Sequence, residues 1–179
     1  MSFFSFGSLR RHERATLGYS YAGEFGRGAS AAIGAEFALL VALSYFKVDN
    51  ILLLWGLSSA GFLGLMLAAL GAAQAGRHRK KDIIFRLELA SRVLLLLAAC
   101  APTGSFFAVM MVLGMAIGAM SVPLISGIYG TNFGMLVRGR AVGRLQALRA
   151  ATITGVALLA GVIVDEQMYL FRAVIGTTA

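Results

Sequence analysis

The chain has 179 residues, of which 59% are hydrophobic and 13% are charged, whereas an ordinary soluble domain carries about 25% charged residues. This composition excludes a typical soluble domain and favours a membrane protein. The formal net charge of +8 would suggest nucleic-acid binding in a soluble protein. Here the basic residues fall in short segments between apolar runs, where membrane topology explains them, and we predict no nucleic-acid partner.

Five apolar runs follow one another along the chain, and each is long enough to cross a membrane as a helix. The hydrocarbon core of a bilayer is about 30 Å thick and requires about 20 apolar residues. We therefore predict an all-α, polytopic transmembrane bundle, with a cytoplasmic tail at 1–17 and a membrane domain at 18–179. The predicted spans cover residues 29–46, 51–73, 83–101, 104–128 and 145–164.

A sixth apolar stretch, at 168–179, is shorter than the others. Twelve helical residues reach only about 18 Å at 1.5 Å per residue, which is less than the thickness of the hydrocarbon core. We predict a truncated sixth helix and expect the chain to be a fragment. The alternative is a half-helix that docks on the bundle.

Basic residues occupy every second segment between the predicted spans. Successive segments lie on opposite sides of the membrane, so this alternation places the positive charge on one side. Cytoplasmic loops carry that excess of Lys and Arg. We therefore predict an integral protein of the cell (inner) membrane with a cytoplasmic N-terminus. The residues placed on the cytoplasmic side are Arg10, Arg11, Arg14, Arg77, Arg79, Lys80, Lys81, Arg138, Arg140 and Arg144.

Several charged residues lie within the apolar runs themselves. Glu36 is midway along the first run, Glu88 and Arg92 are four residues apart in the third, and Arg149 is one turn into the fifth. Charged residues at membrane depth usually face the bundle interior or an aqueous cavity. We predict that these four line a transport path and that Glu36 exchanges protons. The alternative is structural: a hydrogen-bonded Glu and arginines that extend to the interface.

Glycine and proline are expected to shape the fourth predicted span. Small residues let helices approach closely in lipid, so Gly114 and Gly118 predict a packing face. Pro123 lacks a backbone N–H and should kink or loosen the helix. Gly61 with Gly64, and Gly155 with Gly161, are looser versions of the same pattern.

Catalytic patterns are absent from the sequence. No Ser/His/Asp or Cys/His arrangement occurs in the short loops, and His12 and His78 have no partner at metal-ligand spacing. We predict no enzyme activity, no metal and no cofactor. A possible pair lies in the first helix, where Glu24 and Arg27 are three residues apart and therefore on one helix face.

Two basic segments carry recognisable motifs. The first reads Gly76-Arg77-His78-Arg79-Lys80-Lys81, and the second reads Arg138-Gly139-Arg140-Ala141-Val142-Gly143-Arg144. Both resemble motifs of the major facilitator superfamily. The first resembles the family's Gly/Asp/Arg-rich loop between helices two and three, but it lacks the Asp, and Gln74 or Ala75 stands near that place. The second resembles the loop before the fifth helix, and its Gly is expected to form a tight turn.

The resemblance covers about residues 18–179 and implies the N-terminal half of a secondary transporter. Such a permease moves a small solute by alternating access, within the lipid bilayer. A C-terminal half or a second subunit is then the missing partner that completes the substrate site. The basic loops would gate the cytoplasmic side. The resemblance does not identify the substrate. The alternative is a non-transporting membrane scaffold or a subunit that binds partners through Gly-rich helix faces.

Overall fold

The computed structural model describes the backbone of residues 11–75, 80–166 and 170–178, and all regular secondary structure in these ranges is helical. Side chains are not described at positions 11, 12, 14, 35, 36, 69–75, 136, 163–166 and 178. The helices are α1 (Arg11–Ala32), α2 (Ala35–Ser44), α3 (Ile51–Ala75), α4 (Lys80–Ala99), α5 (Gly104–Met120), α6 (Val122–Asn132), α7 (Met135–Glu166) and α8 (Phe171–Thr178).

The described residues contain four helical stretches that are long and apolar enough to cross a membrane. They are Ala15–Ser44, Ile51–Ala68, Gly104–Asn132 and Val137–Val162. The chain is therefore an all-α protein with four candidate membrane-spanning helices. The predicted third span corresponds to α4, which carries Asp82, Arg86, Glu88 and Arg92 and is too charged to qualify by composition. The count of five spans stays a prediction.

The first helix begins earlier than the apolar run that predicted it. α1 starts at Arg11, inside the segment predicted as a tail, and both Glu13 and Leu17 are buried. The Glu13 carboxylate accepts a hydrogen bond of 3.1 Å from the Gly134 N–H, beside the first turn of α7. The polar residues at the start of α1 interrupt its hydrophobicity, so an apolar run could not predict this part of the helix. In the folded chain Glu13 is paired with another segment and does not face lipid.

α1 and α2 are separated by a short break at Gly34. The Gly34 N–H bonds to the Ala31 carbonyl at 3.0 Å. A Cβ at position 34 would lie only 2.6 Å from the same carbonyl oxygen, so glycine fits where a side chain would not. The new helix begins at Ala35, which places Glu36 in its first turn. The side chain of Glu36 lies outside the described part of the structure.

The predicted cytoplasmic loop at 129–144 is wrong, because almost all of it is helical. α6 continues to Asn132 and α7 begins at Met135. The turn is confined to Phe133 and Gly134, so the expectation that a Gly of the second basic motif makes a tight turn is also wrong. Gly139 lies within α7. Arg138 turns back from α7 and donates hydrogen bonds to the Gly130 and Phe133 carbonyls at the end of α6, where a cation is favourable.

The fourth predicted span is interrupted at Ser121, between α5 and α6. Pro123 lies in the first turn of α6, where a missing N–H leaves no helical hydrogen bond unmade. Ser121 Oγ lies 2.8 Å from the Gly118 carbonyl and 2.8 Å from Glu88 Oε1. The interruption therefore brings a hydroxyl group to the charged face of α4.

Close helix contacts are made through glycine. α5 packs against both α3 and α4. A Cβ on Gly64 would lie 2.2 Å from the Ala116 carbonyl oxygen of α5, and a Cβ on Gly118 would lie 2.9 Å from Ser91 Oγ of α4. Gly114 approaches Leu95 of α4 with a corresponding distance of 3.2 Å. The Gly114 and Gly118 face thus lies against α4.

Not all of the other glycines lie in close contact with a neighbouring helix. Gly61, Gly155 and Gly161 have no described atom within 4 Å of an added Cβ. A Cβ on Gly28 of α1, by contrast, would lie 2.9 Å from Thr152 Cβ of α7. α1 and α7 therefore form a second close pair beside the group formed by α3, α4 and α5.

Aromatic rings close the end of the bundle that lies away from the basic segments. Phe107 and Phe171 are fully buried there, and their ring centroids lie 5.2 and 5.6 Å from that of Phe46. Arg172 donates a hydrogen bond of 3.2 Å to the Ala101 carbonyl. α8 is thereby fixed against the end of α4.

Candidate functional site

A cavity of about 510 Å³ lies among α1, α3, α4, α5, α6 and α7. Its walls are mostly small and apolar, which follows from the glycine contacts that bring these helices together. Its charged lining residues are Arg27, Glu88, Arg92 and Arg149. The cavity therefore combines apolar walls with ionic groups that three different helices contribute.

The break between α1 and α2 opens onto this cavity, because Gly34 is one of its lining residues. The first N–H groups of a helix have no partner within that helix. Gly34, at the N-cap of α2, has no side chain that could satisfy them, and no other side chain in the described part of the chain caps this helix. The amino end of α2 and the carboxyl end of α1, whose dipole ends have opposite signs, thus both lie at the cavity wall.

Glu24 and Arg27 form the ion pair that their spacing predicted, and this prediction is confirmed. Arg27 Nη2 lies 2.8 Å from Glu24 Oε1. Glu24 is only 2% exposed, and its Oε1 also accepts a hydrogen bond of 2.9 Å from the Tyr129 hydroxyl of α6. A buried carboxylate that is paired and hydrogen-bonded avoids much of the penalty of lost hydration.

Glu88 is held by groups from other helices. Arg27 Nη1 of α1 lies 3.7 Å from Glu88 Oε1, and the Ser121 hydroxyl lies 2.8 Å from the same oxygen. One turn further along α4, the Ser91 hydroxyl donates a hydrogen bond of 2.7 Å to the Gly114 carbonyl. Glu88 therefore links α4 to α1 and to the interruption between α5 and α6.

Two further guanidinium groups face the cavity. Arg92 reaches from α4 to α1, where its Nη2 would lie 3.2 Å from a Cβ on Gly26. Arg149 comes from α7, and its Nε is buried without a hydrogen-bond partner among the described residues. Buried polar groups are almost always paired in folded proteins, so the Nε of Arg149 is an unused donor next to an open volume.

The structure thus gathers Glu88, Arg92 and Arg149, three of the four predicted transport-path residues, around one cavity. The fourth, Glu36, lies in the first turn of α2, directly after the cavity-lining Gly34.

The basic motifs have a different place. Gly76, Arg77 and Arg79 lie outside the described residues. Lys80 and Arg140 are exposed, and Arg144 is half-buried. Neither Gly139 nor Gly143 has a described atom within 4 Å of an added Cβ. The described residues of these motifs therefore do not line the cavity, and Ala141 of the second motif is buried in the core instead.

The sequence did not identify every polar residue of the site. Arg27 was expected only as the partner of Glu24, and nothing in the sequence pointed to Ser121 or Tyr129. The sequence contains only a weak indication of these two residues. Ser121 and Tyr129 are eight residues apart in an apolar run, a spacing of about two helical turns that places them on nearly the same side of a helix. Only the packing of α6 against α1 and α4 shows which charges they meet.

No family model, no curated protein and no solved structure matches this chain. A proposal for its function therefore rests on the cavity, its charges and the predictions from sequence.

Proposed function

We propose that the chain is a membrane domain of a secondary transporter that moves a small solute by alternating access, and that the charged cavity belongs to its route. One observation carries the proposal. A cavity of about 510 Å³ among apolar helices brings together Arg27, Glu88, Arg92 and Arg149. Its volume lies within the range of about 300–1,000 Å³ that is usual for small-molecule sites.

The energetics of charge in a membrane support a functional cavity. An ionic side chain at membrane depth costs about 2.5–3.5 kcal/mol or more, and such residues mark the routes of solutes and ions. A helical scaffold would be more stable with apolar residues at these positions. The grouping of the charges around one open volume favours transport over the scaffold alternative.

Helix interruptions at the cavity support the same proposal. The break at Gly34 and the interruption at Ser121 lie next to Glu36 and Glu88, respectively. In secondary transporters, discontinuous helices bring backbone dipoles to the substrate and coupling-ion sites. Glu36 is proposed to exchange the coupling proton, because it lies in the first turn after such a break.

The overall arrangement proposed here is that of an N-terminal half of the major facilitator superfamily type. α4 serves as the third of five spans, with Glu88 and Arg92 facing the cavity, and α8 is part of a sixth. The N-terminus lies in the cytoplasm, and the protein resides in the cell (inner) membrane. A second half or subunit completes the solute site by covering the open side of the cavity.

Solute uptake into proteoliposomes tests the proposal. The protein, purified with the partner that co-purifies with it, is assayed with a panel of labelled small solutes under an imposed pH gradient. We expect uptake of at least one solute to exceed that of protein-free liposomes, and to fall at least tenfold in Arg92→Gln. The matched control is Arg86→Gln, which removes an exposed arginine of the same helix that does not line the cavity. Uptake equal to that of protein-free liposomes for every solute would contradict transport and favour a scaffold.

A further inference from the structure

One carboxylate oxygen in the first membrane helix is buried without a hydrogen-bond partner. Glu24 lies within the candidate span Ala15–Ser44 and is 2% exposed. Its Oε1 accepts hydrogen bonds from Arg27 and Tyr129, whereas its Oε2 has no partner in the described part of the chain. Burial deprives a charged carboxylate of hydration, and only one of these two oxygens regains hydrogen bonds. Glu24 is therefore an ionisable group within a candidate span, with one oxygen unused.

The guanidinium group of Arg27 lies between two carboxylates. Its Nη2 is 2.8 Å from Glu24 Oε1, and its Nη1 is 3.7 Å from Glu88 Oε1. A charge-assisted N–H···O hydrogen bond is about 2.7–2.9 Å long, so Arg27 is bonded to Glu24 and only close to Glu88. A movement of about 1 Å would bring Arg27 into a hydrogen bond with Glu88.

The two carboxylates differ in their relation to the cavity. Arg27 and Glu88 line it, whereas Glu24 is not among its described lining residues. The side chain of Glu24 is 3% exposed and that of Glu88 is 23% exposed. Arg27 thus connects an enclosed carboxyl group to an ionic group at the cavity wall.

The neighbours of Glu24 accommodate a neutral carboxyl group as well as a charged one. A protonated carboxyl group has one O–H to donate, and a hydroxyl group both donates and accepts. Half a turn of the carboxyl group would bring its protonated oxygen to the Tyr129 hydroxyl. Tyr129 can then donate its own hydrogen to Ser20, with which it also forms a side-chain hydrogen bond. Protonation of Glu24 therefore removes a buried charge without leaving a buried donor unpaired.

Other charged and titratable groups surround this part of α1. Within the described residues, only Arg27 and Tyr129 bond to Glu24 itself. The further groups, on the helices packed beside α1, are Glu88 and Arg92 of α4 and Arg149 of α7. Glu88 meets Glu24 only through Arg27, so a change at Glu24 reaches Glu88 through that guanidinium group.

We propose that Glu24 is a proton-binding site, and that its protonation transfers Arg27 from Glu24 to Glu88 at the cavity wall. A proton from the aqueous phase adds to Glu24 Oε2 and forms an O–H bond, which leaves the carboxyl group neutral. Release of the same proton restores the pair of Glu24 and Arg27. Ionisable residues within membrane spans commonly form proton relays. This inference rests on the proposed transport function and adds a second proton-binding group to Glu36.

The transfer of Arg27 gives a bound proton an effect on the solute site. With Glu24 charged, the guanidinium group is held away from Glu88. With Glu24 neutral, it is bonded to Glu88, and two lining groups of the cavity are paired with each other. A solute entering the cavity therefore meets a different set of ionic groups in the two states.

Infrared difference spectroscopy of the purified full chain in detergent tests proton binding. Spectra recorded in alkaline and acidic buffers should show the C=O stretch of a protonated carboxyl group in an apolar setting. Glu24→Gln should remove one such band, whereas Glu36→Gln should leave that band in place. Identical difference spectra of the wild type and Glu24→Gln would overturn the inference.

Thermal unfolding tests the transfer of Arg27. Glu24→Gln keeps position 24 neutral, so Arg27 should bond to Glu88 in this background. Glu88→Gln should then lower the unfolding temperature at least twice as much in Glu24→Gln as in the wild type. The matched control is Asp82→Asn, which changes an exposed carboxylate of α4 and should cause equal shifts in both backgrounds. Equal shifts for Glu88→Gln would show that Arg27 does not change its partner.

A variant that keeps every charge covers the case in which Glu24→Gln does not fold. Tyr129→Phe removes the hydroxyl group that bonds to Glu24 and should move the pH midpoint of the infrared band. Tyr19→Phe removes a hydroxyl group from a side chain of α1 that is 83% exposed, and the midpoint should stay in place. An unchanged midpoint in Tyr129→Phe would overturn the assignment of the band to Glu24.

Proton binding and transport can fail separately. Glu24→Gln should reduce solute uptake driven by a pH gradient at least tenfold in proteoliposomes. A Glu24 band without uptake of any solute by the wild type removes the proposed transport function and leaves the proton site. Unchanged uptake in Glu24→Gln removes the role of Glu24 and leaves the transport function.

Discussion

Arg27 Nη1 lies 3.7 Å from Glu88 Oε1, so that one ion pair joins the first helix to α4. The same guanidinium holds Glu24, and the side chains of Arg27, Glu24 and Glu88 are 15%, 3% and 23% exposed. Pairs shielded in this way are screened little by salt. Glu88, one of the charges that make α4 a poor candidate for a span on composition, thus also attaches this helix to its neighbours.

Removal of Arg27 should destabilise the protein. Arg27→Gln leaves Glu24 without its ion-pair partner, and breaking a buried pair costs about 3–5 kcal/mol. We expect a loss of about 3 kcal/mol in the free energy of unfolding, measured by denaturant titration in detergent. The double change Glu24→Gln with Arg27→Gln should recover more than half of that loss. Equal stability of wild type and Arg27→Gln would show that the pair contributes nothing.

Gly64 and Gly61 provide a matched test of helix packing. Gly64→Ala would place a Cβ 2.2 Å from the Ala116 carbonyl oxygen, which forces α3 away from α5. Overpacking of this kind costs about 1–3 kcal/mol, and thermal unfolding should shift to a lower temperature. Gly61→Ala meets no described atom within 4 Å and should be neutral or slightly stabilising, because alanine is the better helix former. Equal shifts in the two variants would contradict the contact.

Glu36→Gln should impair proton-driven uptake while leaving binding of the solute intact. A glutamine keeps the size of the side chain and cannot exchange a proton. We expect at least a tenfold loss of uptake driven by a pH gradient, with counterflow of solute between equal concentrations preserved. Unchanged uptake at every pH gradient would assign Glu36 a structural role.

Cysteine labelling from either side of the membrane tests the orientation. Arg140 in α7 and Lys47 between α2 and α3 are both exposed. In a Cys100→Ser background, a cysteine at 140 should react only when a membrane-impermeant reagent reaches the cytoplasmic side. A cysteine at 47 should react from the outside. The reversed pattern would invert the predicted topology.

The sequence predicted those parts of the fold in which apolar length decides the structure. The helical class and the start of α3 at Ile51 follow from hydrophobic runs alone. The first part of α1 was missed because Glu13, Glu24 and Arg27 reduce its hydrophobicity. Their partners lie far along the chain, and only the folded state shows that they are satisfied.

The candidate site could be predicted only in part, for a related reason. Charges at membrane depth are visible in the sequence, so Glu88, Arg92 and Arg149 were identified. Their convergence depends on the packing of α4 and α7 beside α1, which no local pattern specifies. The segment at 129–144 was read as a loop because it is rich in Gly and Arg. Arginine is a good helix former, however, and Arg138 stabilises the end of α6.

The hydroxyl group of Ser121 has a single hydrogen and two acceptors, Glu88 Oε1 and the Gly118 carbonyl, each at 2.8 Å. It can donate to only one of them at a time. The Gly118 carbonyl also receives the backbone N–H of Ser121 at 3.1 Å, so it keeps a partner whichever way the hydroxyl turns. The end of α5 therefore keeps its backbone hydrogen bond when the Ser121 hydroxyl turns to Glu88, so this side chain can link two helices without loosening the backbone.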